Sequence, residues 1–322
     1  MSAAPRLPQL TLEAEGMPLP PAEVRALDGV RVQQRLSLPA LCELTFRDPP
    51  GPLRVPSGLD PGTGLRVMIE GRRPPLFVGE VTAVQHVFGP AGERQVRVRA
   101  YDRLHRLRKR QSVRAYVEVG VHDLARELVA ELGLRVEGVG PNLVWPWLVQ
   151  HRPSDLELLQ HVAEASGQYL ALREEDLYIL TLEGVGVPIP LTLGRSLLEA
   201  QAEVNGEFAC RSVTASGWNP LLVETYEGRA GDARVGRRVV AEASPAHLGG
   251  SELRELLNVP AHDIRHAEAL AQAELDRRAA HEVTLWGVAE GDPRLRPGAS
   301  IVVEGIADAF AGRYVVTAAT HT

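Results

Sequence analysis

The stretch AYDRLHRLRKR, residues 100–110, gathers four arginines, a histidine and Lys109, the only lysine of the chain, directly after a run of alternating residues. In RQVRVRA (94–100), Val96, Val98 and Ala100 alternate with Arg97 and Arg99, while Arg94 opens the run. A period of two is that of a strand with one face buried. Past Tyr101 the period changes. A short helix over 102–110 would turn Leu104 and Leu107 inward and set Arg103, Arg106 and Arg110 on its other face. The stretch therefore marks the end of a β-rich first part of the chain.

Upstream, ALCELTF (40–46) alternates Cys42, Leu44 and Phe46 with Glu43 and Thr45, and LRVMIEG and LFVGEVTAVQHV read as further strands. The clusters DPPGP and GLDPGTG supply turns. Short strands at this spacing suggest a small barrel or sandwich. Downstream the pattern becomes mixed. Leu124, Leu128, Val129 and Leu132 recur at helical spacing up to Gly133, and Ser154-Asp155-Leu156-Glu157 is a capping box for a helix running through Val162 to Gly167. YLAL and LYIL then flank the turn REED, so residues 112–185 form an α+β module. Strand patterning returns in GVPIPLTL and FACRSVTASGW, followed by a polar, Gly- and Ala-rich region and a helix over about 261–280 with Ile264, Ala267, Ala271 and Leu275 on one face. The last forty residues read as strands.

The end of the chain echoes its beginning. GLRVMIEG (64–71) matches GASIVVEG (298–305), Phe77-x-Gly79 matches Phe310-x-Gly312, and Thr82-Ala83 matches Thr317-Ala318 after a two-residue slip. Two similar β-barrels in one chain follow from this duplication. Three such chains would present six similar barrels, which suits a junction between three-fold and six-fold partners.

Composition narrows the function. The 322 residues carry 35 basic and 41 acidic side chains, a net charge of -6, so general attraction to a phosphate backbone is not expected and a basic patch must act locally. The two cysteines, Cys42 and Cys210, form neither a C-x-x-C pair nor a disulfide framework. The N-terminus lacks the pattern of a secretory signal and no apolar run reaches membrane-spanning length, so the expectation is a soluble chain made in the cytosol, without a membrane anchor.

Catalytic signals are few. His262-Asp263-Ile264-Arg265-His266 resembles the zinc-protease pattern H-E-x-x-H, with Glu282 a conceivable third ligand, but Asp263 stands one methylene short of the general base. A P-loop, a G-x-S-x-G elbow and a dinucleotide fingerprint are all absent from the sequence. Trp145 and Trp147 read as core or interface residues. A groove for single-stranded nucleic acid interleaves aromatics with basic residues, and only Tyr101 does so here. Arg94, Arg97, Arg99, Arg103, Arg106 and Arg110 are therefore read as a candidate assembly surface, since arginine is enriched at protein interfaces. No cofactor, no metal site and no sequence-specific nucleic acid is expected.

Taken together and in order, AYDRLHRLRKR, VHDLARELVAELGL, the run from Trp147 to Leu180, and GDPRLRPGASIVVEGIADAFAGRYVVTAATHT resemble the phage late control protein D family. This family includes the central hubs of contractile phage baseplates and the N-terminal hub portion of the valine-glycine-repeat spike proteins of type VI secretion. The resemblance spans about 60–322. It implies an α+β, mainly β fold with two tube-like β-barrels: the first over 1–110, an α+β module over 111–185, the second barrel from 186–230 and 283–322, and an inserted helical or irregular module over 231–282. It further implies a homotrimeric hub, not an enzyme, that adapts a spike to a hexameric inner tube and contacts baseplate wedge components. The sequence carries no oligonucleotide-binding fold and no glycine-periodic β-helix after the second barrel, so the spike is expected on a separate chain or on a removed segment. The rival expectation is a zinc-dependent or cell-wall hydrolase associated with a tail particle.

Overall fold

Cys42, Leu44 and Phe46 are fully buried while Glu43 and Thr45 between them remain half-buried, so the sheet at Leu38–Arg47 has one dry face and one wetter face. In the computed structural model this alternation repeats across the N-terminal strands. The structure describes residues 10–50, 56, 58–90, 92–207, 209–219, 223–237, 253–256, 261 and 263–322. These divide into two compact units, residues 1–106 with 291–296 and 318–322, and residues 107–290 with 297–317. Strand accounts for 48% of the described residues and helix for 18%, an α+β fold that is mainly β.

The first unit contains β1 (Leu10–Ala14), β2 (Met17–Pro18), the short helix α1 (Pro21–Val24), β3 (Leu27–Arg35), β4 (Leu38–Arg47), β5 (Gly64–Ile69), β6 (Phe77–Phe88) and β7 (Arg94–Tyr101). With the C-terminal strand Ala318–His321 they make one eight-stranded sheet, in the order β2-β1-β5-β6-β7-β4-β3 and then the C-terminal strand. Every pairing in it is antiparallel. Leu12, Val32, Phe46, Val67, Val81 and Val98, each from a different strand, meet in one core. A single sheet that buries one face against itself must curl around that face, which gives the unit a barrel-like form. Sequence patterning groups the last residues with the second barrel, whereas here Ala318–His321 pairs with β3 of the first unit. Backbone pairing at an open edge of β3 outweighs sequence proximity.

AYDRL is the corner that ends this sheet. Asp102 is buried, and its carboxylate accepts the Ala40 N–H at 2.7 Å and the Leu104 N–H at 3.0 Å, tying β4 to the first turn after β7. The helix that follows is a 3-10 helix over Arg103–Lys109, so side chains three apart lie over one another and Arg110 falls beyond the helix. Leu104 and Leu107 are buried as the spacing requires.

The second unit opens with β8 (Arg114–Gly120), α2 (Val121–Val129), β9 (Arg135–Gly138), β10 (Val144–Gln150), α3 (Asp155–Ala165), β11 (Tyr169–Arg173) and β12 (Asp176–Leu180). Helix α2 buries Leu124, Ala125 and Leu128, and after one 3-10 turn the chain reverses at Gly133, whose φ of 65° suits a residue without a Cβ. Both halves of the capping box are present at α3. Glu157 accepts the Ser154 N–H at 2.7 Å and Ser154 Oγ accepts the Glu157 N–H at 3.3 Å. The hairpin β11–β12 joins β9, which runs parallel to β12, in a three-stranded sheet.

The unit continues with β13 (Val185–Thr192), β14 (Leu197–Val204), β15 (Ser212–Asn219), β16 (Glu224–Ala230), β17 (Leu253–Leu256), α4 (Ile264–Ala280), β18 (Val283–Ala289), β19 (Ala299–Glu304) and β20 (Gly312–Val315). Strands β13, β19 and β20 form one sheet and β14 with β18 another. Strands β15 and β16, which sequence pattern assigns to the second barrel, instead form a separate sheet with β17 and share a core with α4 through Val213, Ala215, Ala267 and Ala271. At Gly228 the backbone of β16 comes so close to α4 that a Cβ would lie 2.1 Å from the Glu268 nitrogen. Ile264, expected inward, is 53% exposed, and His266 and Leu270 are buried beside Ala267 and Ala271 instead.

The sequence duplication corresponds to a shared hairpin. β5 and β6 pair antiparallel with Val67 opposite Phe77, and β19 and β20 pair antiparallel with Val303 opposite Gly312. The matched glycines Gly79 and Gly312 stand opposite Leu65 and Val303, so by register Leu65 corresponds to Val303, four residues beyond the Ala299 that the sequence match assigns to it. An even slip keeps the buried face. The flanking strands differ, β1 being antiparallel to β5 and β13 parallel to β19.

Candidate functional site

The six arginines of the expected assembly surface take up different roles. Arg97 and Arg99 project from the outer face of β7, both exposed. Their cross-strand neighbours are Thr45 and Gln85 for Arg97, and Glu43 and Ala83 for Arg99. Arg97 Nε donates to Gln95 Oε1 at 2.9 Å. Arg94 is half-buried and braces the turn after β4, donating from its guanidinium to the Pro49 carbonyl and from its backbone N–H to Asp48 at 3.1 Å. Arg103, at the start of the 3-10 helix, is half-buried. In the second unit, Arg110 donates to the Leu128 carbonyl at 3.3 Å and pairs with Glu131, fastening the chain to the end of α2. Arg97 and Arg99 are thus the two that face water from a strand.

Arg106 belongs to a cluster on the first unit. Its Nε lies 3.0 and 3.1 Å from the two Glu80 oxygens and its Nη2 donates to Oε2, while His105 Nε2 contacts Oε1. The Glu80 side chain is 15% exposed and that of His105 6%. Hydrogen bonding to Arg106 holds the Glu80 carboxyl down at about 2, with His105 adding to this and burial opposing it. A carboxylate held so far down is a poor proton acceptor at neutral pH. It acts as a fixed acceptor that locks the 3-10 helix onto β6.

The histidine pair reads differently once folded. Asp263 caps α4, its Oδ1 accepting the His266 N–H at 2.7 Å. The carboxylate that a zinc-protease reading needs at the metal-bound water is occupied at the helix terminus. His266 is 2% exposed, with its ring edge-on to Trp145 at 5.3 Å between centroids, and Glu282 pairs with Arg237 at 3.4 Å. His262 lies outside the described residues. Among the described residues, no group of three or more His, Cys, Asp or Glu is placed to hold a metal ion.

Sequence reasoning read Trp145 and Trp147 as core or interface residues and passed over a second exposed surface at Trp286. On β10, Trp145 is buried but Trp147 is 62% exposed, and Trp147 stands opposite Val117 of β8, itself 76% exposed. On β18, Trp286 is 59% exposed opposite Gln201. Both lie in two-stranded sheets. The available signal was the tryptophan, a residue rarely left in water without a role. Among the described residues no helix is long and apolar enough to cross a membrane.

Comparison with solved structures places this fold among phage tail proteins. The 43 kDa tail protein of prophage MuSo2 from Shewanella oneidensis aligns over 97% of this chain and 93% of its own, with a TM-score of 0.70 at 13% identity. A tail protein from Neisseria meningitidis MC58 aligns over 97% and 90%, with a TM-score of 0.68 at 13% identity. The E. coli c3393 protein, a type VI secretion component described as structurally similar to the T4 tail proteins gp27 and gp5, aligns over 96% and 72%, with a TM-score of 0.61 at 13% identity. No curated protein matches by sequence. The family described as the Alg8 N-terminal domain matches residues 58–322.

Proposed function

The chain belongs to the Alg8 N-terminal domain family, and from its tail-protein fold we propose that it is the central hub of a contractile injection machine. The reading rests above all on the fold likeness to tail proteins, which extends over 97% of the chain. In it, the chain is a bacterial product built into a phage tail, a phage-derived particle or a secretion baseplate. It forms a homotrimer. The sheet of the first unit and the sheets of β13, β14, β18, β19 and β20 in the second are its two tube-like barrels. Three chains then present six barrels, which meet a hexameric inner tube on one side and a trimeric spike on the other. The late control protein D hubs are the pattern for this arrangement.

The role is mechanical and not enzymatic. Glu80, held by Arg106 and His105, is committed to structure, and Asp263 caps a helix. Contacts to spike, tube and wedge components are made by sheet edges and exposed side chains, Arg97 and Arg99 among them. Measurement of the particle mass in solution tests the proposal. A species of about three times 35.0 kDa, able to gather an inner-tube protein into six-membered rings, supports it. A chain that stays monomeric at all concentrations, with tube protein present, overturns it.

A further inference from the structure

Among the described residues β8 pairs with β10 alone, and no backbone hydrogen bond is made along its other edge. Beside that edge runs an open groove of about 520 Å³, lined by residues 114–119 in succession and by Asp123 and Glu127 of α2. Alternation gives the two faces of β8 opposite character. Arg114 and Tyr116 lie on the side of α2, where Arg114 reaches Glu127 at 4.0 Å and the Tyr116 hydroxyl donates to Gln150 at 3.4 Å. Ala115 and Val117 lie on the other side. With Val149 and Trp147, their register partners on β10, they make an apolar strip, Val149 being 61% exposed.

Unpaired edges are usually blunted by charge, proline or a covering element. Here the open edge adjoins exposed apolar side chains. We propose that the edge of β8 is a strand-addition site that accepts one extended segment of a partner polypeptide carrying basic residues at alternate positions with apolar residues between them. Main-chain hydrogen bonds to β8 supply the pairing, and side-chain alternation supplies the choice of sequence. The added residues on the strip side extend the Val117 and Trp147 surface. Those on the other side approach Asp123 and Glu127, one helical turn apart and 58% and 55% exposed. Arg126 holds Asp123 at 2.6 Å, whereas Glu127 has its basic neighbour no nearer than 4.0 Å, so a cation is best placed opposite Glu127. A second copy of the chain is a poor source of the segment. Its own strand with this alternation, β7, is already paired on both edges by β4 and β6. The proposal goes beyond the hub reading and stands without it.

Titration of the full chain with a short synthetic peptide of alternating lysine and valine, followed by calorimetry at low ionic strength, tests the site. The expected result is saturable one-to-one binding. Affinity should fall by about tenfold or more when Glu127→Lys and Asp123→Lys are combined, when the peptide lysines become glutamates, and when alternate peptide amides are N-methylated. The methylated peptide leaves the protein unaltered, so its failure cannot be blamed on folding. Absence of binding, or equal affinity for the methylated peptide, overturns the proposal. So does concentration-dependent self-association of the chain that Glu127→Lys abolishes, which assigns the edge to a second copy.

Discussion

His321 Nε2 donates to the Leu295 carbonyl oxygen at 3.1 Å, so the penultimate residue of the chain is pinned to the turn that precedes β19. Leu295 near the start and His321 near the end of the run GDPRLRPGASIVVEGIADAFAGRYVVTAATHT meet in that one bond. Burial lowers the His321 pKa below its ordinary value, against smaller opposing effects of the Leu295 bond and Asp292.

This predicts a pH dependence. A histidine with a lowered folded pKa binds its proton more readily when unfolded, so its contribution is fully present above about 6.5 and is lost as pH falls below that value. Thermal unfolding followed from pH 7.5 to 5 should show a declining Tm for the native chain and a flatter profile for His321→Gln. The substitution itself should cost about 0.5–1.5 kcal/mol at neutral pH, the worth of one hydrogen bond. Identical pH profiles would remove His321 as the titrating group.

Glu80 provides the opposite end of the scale. With its carboxyl at about 2 in the folded chain, the stabilisation is complete above the ordinary carboxylate pKa and is lost as pH falls from about 4.5 towards 2. Glu80→Gln should destabilise by about 1–3 kcal/mol in urea at pH 7, because it removes the negative charge and one of the two acceptor oxygens that His105 and Arg106 share. Arg106 is about half exposed, and its screening by water places the expected value toward the lower end of that range. The gap between native and variant should close progressively under acid conditions; a gap unchanged down to pH 2 argues against this cluster.

What the sequence disclosed was local. The capping box at Ser154 and Glu157 is legible because both partners sit within one turn, and Cys42, Leu44 and Phe46 expose their buried face through a period of two. The pairing of Ser212–Ala215 with Leu253–Leu256 is parallel and spans a long connection, so no short pattern encodes it. The same limit hid the pairing of Arg110 with Glu131, 21 residues away, because Arg110 lies beyond the 3-10 helix over Arg103–Lys109 and not on a helical face with Arg103 and Arg106. At Val117 and Trp147 the difficulty was chemical. Their neighbours Tyr116 and Leu148 are also apolar, and a strand with two apolar faces does not reveal which one meets water.

The close approach of β16 to α4 makes Gly228 a sensitive position. Its environment excludes a methyl group through backbone atoms of Ala267 and Glu268, which cannot swing aside as a side-chain tip would. Gly228→Ala should therefore cost about 2–3 kcal/mol through displacement of the helix. Urea unfolding gives the magnitude, and hydrogen exchange along 264–280 locates it. A loss confined to other elements would show that the helix is not what yields.

Arg97 and Arg99 offer the sharpest separation of folding from assembly. Both are exposed on the outer face of β7, while Val96, Val98 and Ala100 between and beside them form the core. Arg97→Glu with Arg99→Glu should consequently alter stability by no more than about 0.5 kcal/mol, the usual range for surface changes. If this face meets another subunit or the inner tube, the same pair of reversals should reduce trimer formation or tube docking, and the defect should be read as a shift in particle mass at unchanged Tm. Reversal to the opposite charge is preferred to alanine because it adds repulsion to the loss of contact. Normal assembly by the doubly reversed chain would take this face out of the contact surface, and the search for subunit contacts would move to the exposed tryptophans, Trp147, Trp218 and Trp286.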